Sequence, residues 1–183
     1  MQFGDKDRFA ITLNLNEDCG GAWLFGRICY WIRGAMVGNY DEGTSLRDVL
    51  FQTKYIIGDS GKRFCPPLID LNKEKAFALI DAVLYGAVDE THGAINEIDQ
   101  YISSGFLPAV LNISVSVDVF DPWKIFLIEG HDKARILYRK FGFTHVEEVI
   151  LKAGEFDKVF GDAYRYLDCL YEKEISRDKN IKQ

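Results

Sequence analysis

Residues 3–48 read FGDKDRFAITLNLNEDCGGAWLFGRICYWIRGAMVGNYDEGTSLRD, and the fold turns on them. Phe9 to Leu15 alternates apolar and polar side chains closely enough for a half-buried strand, whose successive residues face opposite ways. Ala22 to Ile32 is rich in aromatic and branched residues and predicts a second strand. Arg33-Gly34 marks a turn, and Ala35 to Tyr40 reads as a third strand. Connections this short predict an antiparallel meander. Trp23 and Trp31 stand eight residues apart, so an unbroken strand would put them on one face, and a bulge at Gly26 would shift that register.

Helical signals follow. Ser45-x-x-Asp48 resembles a capping box, and Leu46, Val49, Leu50, Thr53, Ile56 and Ile57 fall at helical spacing until Gly58 and Gly61. Cys65-Pro66-Pro67 breaks regular structure. A second helix is expected after Asn72, with Ala76, Phe77, Ile80, Val83 and Leu84 on one face and Gly86 as its stop. A third runs from Thr91 to Ser103, with Ile95, Ile98 and Ile102 inward. Asn112 to Val119 alternates like a strand, Asp121-Pro122 turns the chain, and Trp123 to Glu129 is another strand. Asp132 is placed to cap a short helix to Phe141, with Gly142 at its C-terminal stop, before a last strand from Thr144 to Lys152. The final helix, Glu155 to Ile175, carries Phe156, Val159, Phe160, Ala163, Leu167, Leu170 and Tyr171 as an apolar stripe. The expected class is α+β: a single domain over residues 1–175, antiparallel sheets, about five helices, and a frayed polar tail over 176–183.

Composition narrows the function. Apolar residues make up 48% of 183 and aromatics 14%, enough for a substantial core. The 22 Lys and Arg against 28 Asp and Glu leave a net charge of −6, a poor start for binding nucleic acid, whose phosphates need clustered cations. The same charge suits a basic protein partner. MQFGDKDRF has no apolar signal core, and no run approaches a membrane span, so a cytoplasmic protein is expected. Cys19, Cys29, Cys65 and Cys169 form no Cys-x-x-Cys pair and are expected as free thiols.

Several stretches of the chain resemble the immunity protein 42 family of bacterial polymorphic-toxin systems. They are Phe3-Gly4-Asp5, the run from Gly21 to Ile32, Val37-Gly38, Tyr40-Asp41 and Thr44 to Asp48, then more weakly Pro122 to Glu129 and Asp132 to Arg135. The resemblance implies a small cytoplasmic, non-catalytic protein that needs no cofactor. It would bind and neutralise a cognate toxin C-terminal domain by occluding it; that the toxin is a nuclease is the expectation drawn from the acidic span between residues 76 and 123.

Two features offer candidate contacts. Between residues 76 and 123 there is no Lys or Arg, while Asp81, Asp89, Glu90, Glu97, Asp99, Asp118 and Asp121 fall there. This span could cover a basic active-site cleft, or it could be a solvated face. Trp23, Trp31 and Tyr40 crowd the first third; such residues are frequent in binding hot spots and equally fill sheet cores.

Enzymatic readings find less support. Strand, then Ala134-x-x-Leu137-Tyr138-x-Lys140-x-Gly142-Phe143, then strand is similar to the C-terminal half of a GNAT acetyltransferase. That family binds acyl-CoA pyrophosphate at a glycine-rich turn with bare backbone N–H groups. Upstream of Lys124 this chain has no such glycine, and has Asp118 and Asp121, which repel phosphate. His131-Asp132 are adjacent loop residues, and His145 with Glu147 reads as a solvated strand face. His92 and His145 have no partner at zinc-ligand spacing. A small ligand-binding or regulatory module is the third class.

Overall fold

The computed structural model describes residues 1–86 and 88–181, with side chains except those of 88–92 and 178–181. In chain order the elements are β1 Gln2–Asp5, β2 Phe9–Leu15, β3 Phe25–Ile32, β4 Ala35–Val37, β5 Thr44–Ser45, α1 Leu46–Gly58, α2 Pro66–Ile69, α3 Lys73–Tyr85, α4 Val88–Ile98, β6 Trp123–Glu129, β7 Lys133–Lys140, β8 Glu147–Lys152 and α5 Glu155–Ile181. The class is α+β, with two antiparallel sheets among the described residues. The chain forms two compact units: Met1–Gly58, Val115–Pro122 and the chain from Phe156 on, and then Asp59–Ser114 with Trp123–Glu155.

In the first unit the strand order is β1-β2-β3-β4, with β5 also on β3. The expected meander of β2, β3 and β4 is present, and its register runs unbroken from Phe9 opposite Ile32 to Leu15 opposite Gly26. There is therefore no bulge at Gly26. Glycine is needed there because a Cβ would stand 2.4 Å from the Asn14 carbonyl oxygen. The strand expected from Ala22 begins only at Phe25, because Gly21–Trp23 is a 3-10 turn. Leu24 closes that turn in the left-handed region (φ 53°), a costly conformation held by its complete burial. β1 carries no alternation signal and exists by pairing with β2.

One sheet face presents Phe9, Ile11, Leu13, Ile28, Tyr30, Ile32 and Val37, all fully buried. The apolar stripes of α1 and α5 are buried in the same unit, and Phe9 and Tyr30 meet Phe156 and Phe160 at ring distances of 5.1 and 6.2 Å. Each such side chain contributes about 1.5–3 kcal/mol. The capping reading at α1 holds in part: Asp48 N–H donates to Ser45 Oγ at 3.2 Å, while the Asp48 carboxylate is held by Arg47. α5 runs to Ile181 rather than stopping near Ile175.

In the second unit, Asn72 caps α3 by accepting from Lys75 N–H at 2.7 Å, and Ala76, Phe77 and Ile80 are buried as expected. The third helix lies at Val88–Ile98, earlier than expected, and among its described side chains Ala94 and Ile98, one helical turn apart, are buried while Ile95 is exposed. Cys65-Pro66-Pro67 does not break structure but opens α2, since the first turn of a helix needs no proline N–H.

Two other expectations are overturned. Asn112 to Val119 has buried Val115, Val117 and Val119 in alternation, yet only Asn112 bridges, to Phe126, and Asp118–Phe120 is a 3-10 turn. The helix expected from Asp132 to Phe141 is instead β7, the centre of a β6-β7-β8 sheet. Ala134 to Tyr138 are buried on both faces, and so short a mainly apolar run, broken only by Arg135, does not distinguish a central strand from a buried helix. The strand–helix–strand order behind the acetyltransferase resemblance is thus a three-stranded meander.

Candidate functional site

The face of the β1–β5 sheet turned away from α1 and α5 is the most distinctive surface of the first unit. Register places Gln2, Thr12 and Cys29 in one row, Gly4, Ala10, Trp31 and Met36 in the next, and Asn14 opposite Arg27. In β3 the odd positions Phe25, Arg27, Cys29 and Trp31 point to this face because Ile28, Tyr30 and Ile32 point to the core.

Trp31 is half-buried, with its indole N–H donating to Thr12 Oγ1 at 3.0 Å and Lys6 Nζ 3.9 Å from its ring centre. The Tyr40 hydroxyl accepts from Asn14 Nδ2 at 2.6 Å. Burial and then nearby Cys29 raise the Tyr40 phenol above its ordinary value, so it is neutral at pH 7. Burial pushes the Cys29 thiol up to about 11 against the opposing pull of Lys6, which makes it a poor nucleophile.

Trp23 does not share a strand with Trp31, since Leu24 turns the chain between them. It stacks parallel on Phe25 at 6.0 Å, and the Arg47 guanidinium lies 3.6 Å over its ring. Trp23, Phe25 and Met36 remain 48%, 42% and 43% exposed. Exposed Trp, Phe, Met and Arg are residue types that anchor protein interfaces. Phe25, Met36 and Arg47 were not singled out from sequence, although the alternation in 25–31 held the signal for Phe25.

The acidic span is less uniform in space than in sequence. Glu97 pairs with Lys75 at 3.2 Å. Asp81 holds both Lys124 and Arg139, the latter at 3.0 Å. Asp99 is exposed in the second unit, whereas Asp118 and Asp121 are exposed in the first. The Asp89 and Glu90 side chains lie outside the described residues. Of the described carboxylates, Asp81 and Glu97 are therefore compensated by cations of their own unit, while Asp99, Asp118 and Asp121 are exposed.

Chemical sites are sparse. His131 packs its ring on Phe64 at 4.9 Å, and exposed His145 and Glu147 approach to 3.4 Å. Among the described residues no three His, Cys, Asp or Glu are grouped to hold a metal, and no helix is long and apolar enough to cross a membrane.

Comparison with known proteins gives three findings. The family model for immunity protein 42 matches residues 1–166. No curated protein sequence matches the chain. The crystal structure of CdiI from Burkholderia dolosa AUO158 is similar in fold, with a TM-score of 0.68 at 20% identity, covering 91% of this chain and 99% of that chain. The family match takes in both compact units, and the chain therefore belongs to the immunity protein 42 family.

Proposed function

We propose that this chain is a cytoplasmic immunity protein that binds a cognate toxin C-terminal domain and neutralises it by occlusion, the toxin being a nuclease with a basic surface. The family match over residues 1–166 carries this reading. The aromatic residues of the first unit supply the contact: Trp31 with its neighbour Met36, Tyr40 on Asn14, and Trp23 stacked on Phe25 under Arg47. Preorganisation lowers the entropic cost of binding, because the Trp31 and Tyr40 side chains are already held by Thr12 and Asn14. The carboxylates Asp89, Glu90, Glu97, Asp99, Asp118 and Asp121 act in encounter rather than in the bound core. Together with a net charge of −6 they draw a cationic partner over about a Debye length, ~8 Å at physiological salt.

The test uses the cognate toxin domain, sought among the neighbouring genes. The wild-type chain should bind it tightly and protect cells expressing it. Trp23→Ala and Trp31→Ala should each weaken binding by about 30-fold or more, as for a hot-spot residue, with circular dichroism unchanged. A wild-type chain that neither binds nor protects would sink the reading.

A further inference from the structure

The β7–β8 hairpin ends in Phe141-Gly142-Phe143, and both phenylalanines face solvent, at 83% and 64% exposure. The tip is ordered by a closed turn: Phe143 N–H donates to the Lys140 carbonyl at 3.1 Å, and Gly142 supplies the left-handed backbone (φ 83°) at the third turn position. No atom lies within 4 Å of where a Gly142 Cβ would stand, so glycine is required by conformation and not by crowding. Turn positions are normally filled by small or polar residues. Two large aromatic rings held outward on either side of this glycine add nothing to the core.

The charge around the tip is also distinctive. From Lys133 to Val146 there are four Lys or Arg and no Asp or Glu, in a chain of net charge −6. Three of these cations are matched from elsewhere in the second unit: Lys133 by Asp70 at 3.5 Å, Arg135 by Glu148 at 2.7 Å and Arg139 by Asp81 at 3.0 Å. Lys140 has no ion-pair partner among the described residues and only leans on the Trp123 ring, at 5.7 Å. The tip therefore presents two apolar rings beside one uncompensated cation.

We propose that Phe141 and Phe143 form a plug that enters an apolar pocket on the cognate toxin domain, with Lys140 meeting a carboxylate at the pocket rim. This rests on the immunity reading above, and adds a contact that the aromatic sheet face does not contain. A protein pocket fits better than a membrane, because a chain of net charge −6 is repelled by anionic lipid and one unmatched cation does not offset that. Local cation-to-carboxylate matching within an otherwise basic partner would set specificity and docking register.

The experiment measures binding kinetics of the full chain against the purified cognate toxin domain. The double variant Phe141→Ser/Phe143→Ser should bind at least about 100-fold more weakly, chiefly through faster dissociation, with an unchanged melting temperature. Lys140→Glu should speed dissociation, because it sets two like charges together at the pocket rim, without slowing long-range association. Should the double variant be unstable, Phe141→Ser alone carries the same expectation at about 10-fold or more. Wild-type binding with variant affinity within about 3-fold would overturn the plug while leaving the immunity reading intact. No wild-type binding would remove both. Loss of vesicle binding (phosphatidylglycerol vesicles) or of self-association in the variant, with toxin affinity kept, would assign the tip elsewhere and overturn the proposal.

Discussion

Replacing Tyr30 by Phe should stabilise the protein. The Tyr30 ring sits at the centre of the first unit, 4.6 Å from Phe120, 5.7 Å from Phe9 and 6.2 Å from Phe160. Its hydroxyl is buried without a hydrogen-bond partner among the described residues. A buried unsatisfied hydroxyl costs about 1–3 kcal/mol. The phenylalanine ring keeps the aromatic contacts, and the space vacated by one oxygen, on the order of 10–15 Å³, costs about 0.3 kcal/mol at ~24 cal/mol per Å³. The net gain is then about 1–2.5 kcal/mol. For a chain of this size that raises Tm by roughly 2–10 °C.

Urea and thermal unfolding of both proteins at pH 7 measure this directly. High pH supplies a second readout. Burial pushes the Tyr30 phenol far above its ordinary value of 10.0, so the folded state keeps a proton that the unfolded state releases. Stability from this group is complete below pH ~10 and falls as pH rises beyond it. Tyr30→Phe should remove that share of the alkaline decline and leave the share due to Cys29, Tyr40, Cys65 and Tyr85, all raised by burial. A variant destabilised by about 1 kcal/mol or more, with an unchanged alkaline slope, would show that the hydroxyl is hydrogen-bonded and refute the argument.

Arg135 is buried, donates to the Ile69 and Leu71 carbonyls at 3.0 and 2.5 Å, and pairs with Glu148. Arg135→Ala should cost about 3 kcal/mol in urea unfolding, and a loss under ~1 kcal/mol would contradict its role in holding α2 against the sheet of its unit. Thiol titration of denatured protein without reductant should count four, matching four free cysteines; a count of two or none would mean a disulfide. In native protein exposed Cys169 should react promptly and buried Cys29 slowly, and equal rates would refute the burial argument for Cys29. Reversing Glu97 and Asp99 to Lys should slow toxin association at about 0.02 M salt and matter less at about 0.15 M, with the fold unchanged. Equal association rates at low salt would remove Glu97 and Asp99 from the encounter.

Much of this architecture was legible locally. Alternation in Phe9–Leu15 and the aromatic-rich run to Ile32 show the central strand pair, because period-two burial is written in neighbouring residues. Asn72, Ser45 and the stripe from Phe156 to Leu167 show helix starts and faces for the same reason. Composition set the class and the acidic character, and the stretches around Trp23, Tyr40 and Asp48 pointed to the family.

What only the tertiary structure decided depends on residues far apart in the chain. β7 is a strand because β6 and β8 take its backbone hydrogen bonds on both sides, which no periodicity within Ala134–Tyr138 can reveal. Trp23 leaves the plane of Trp31 because burial of Leu24 outweighs the cost of its left-handed backbone. The acidic run looked unopposed because it contains no base, yet Asp81 finds Lys124 and Arg139 at separations of 43 and 58 residues. Charge pairing acts through space over a few ångströms and disregards chain order, so the sequence determined how many charges there are and the fold decided which of them remain free to meet a partner.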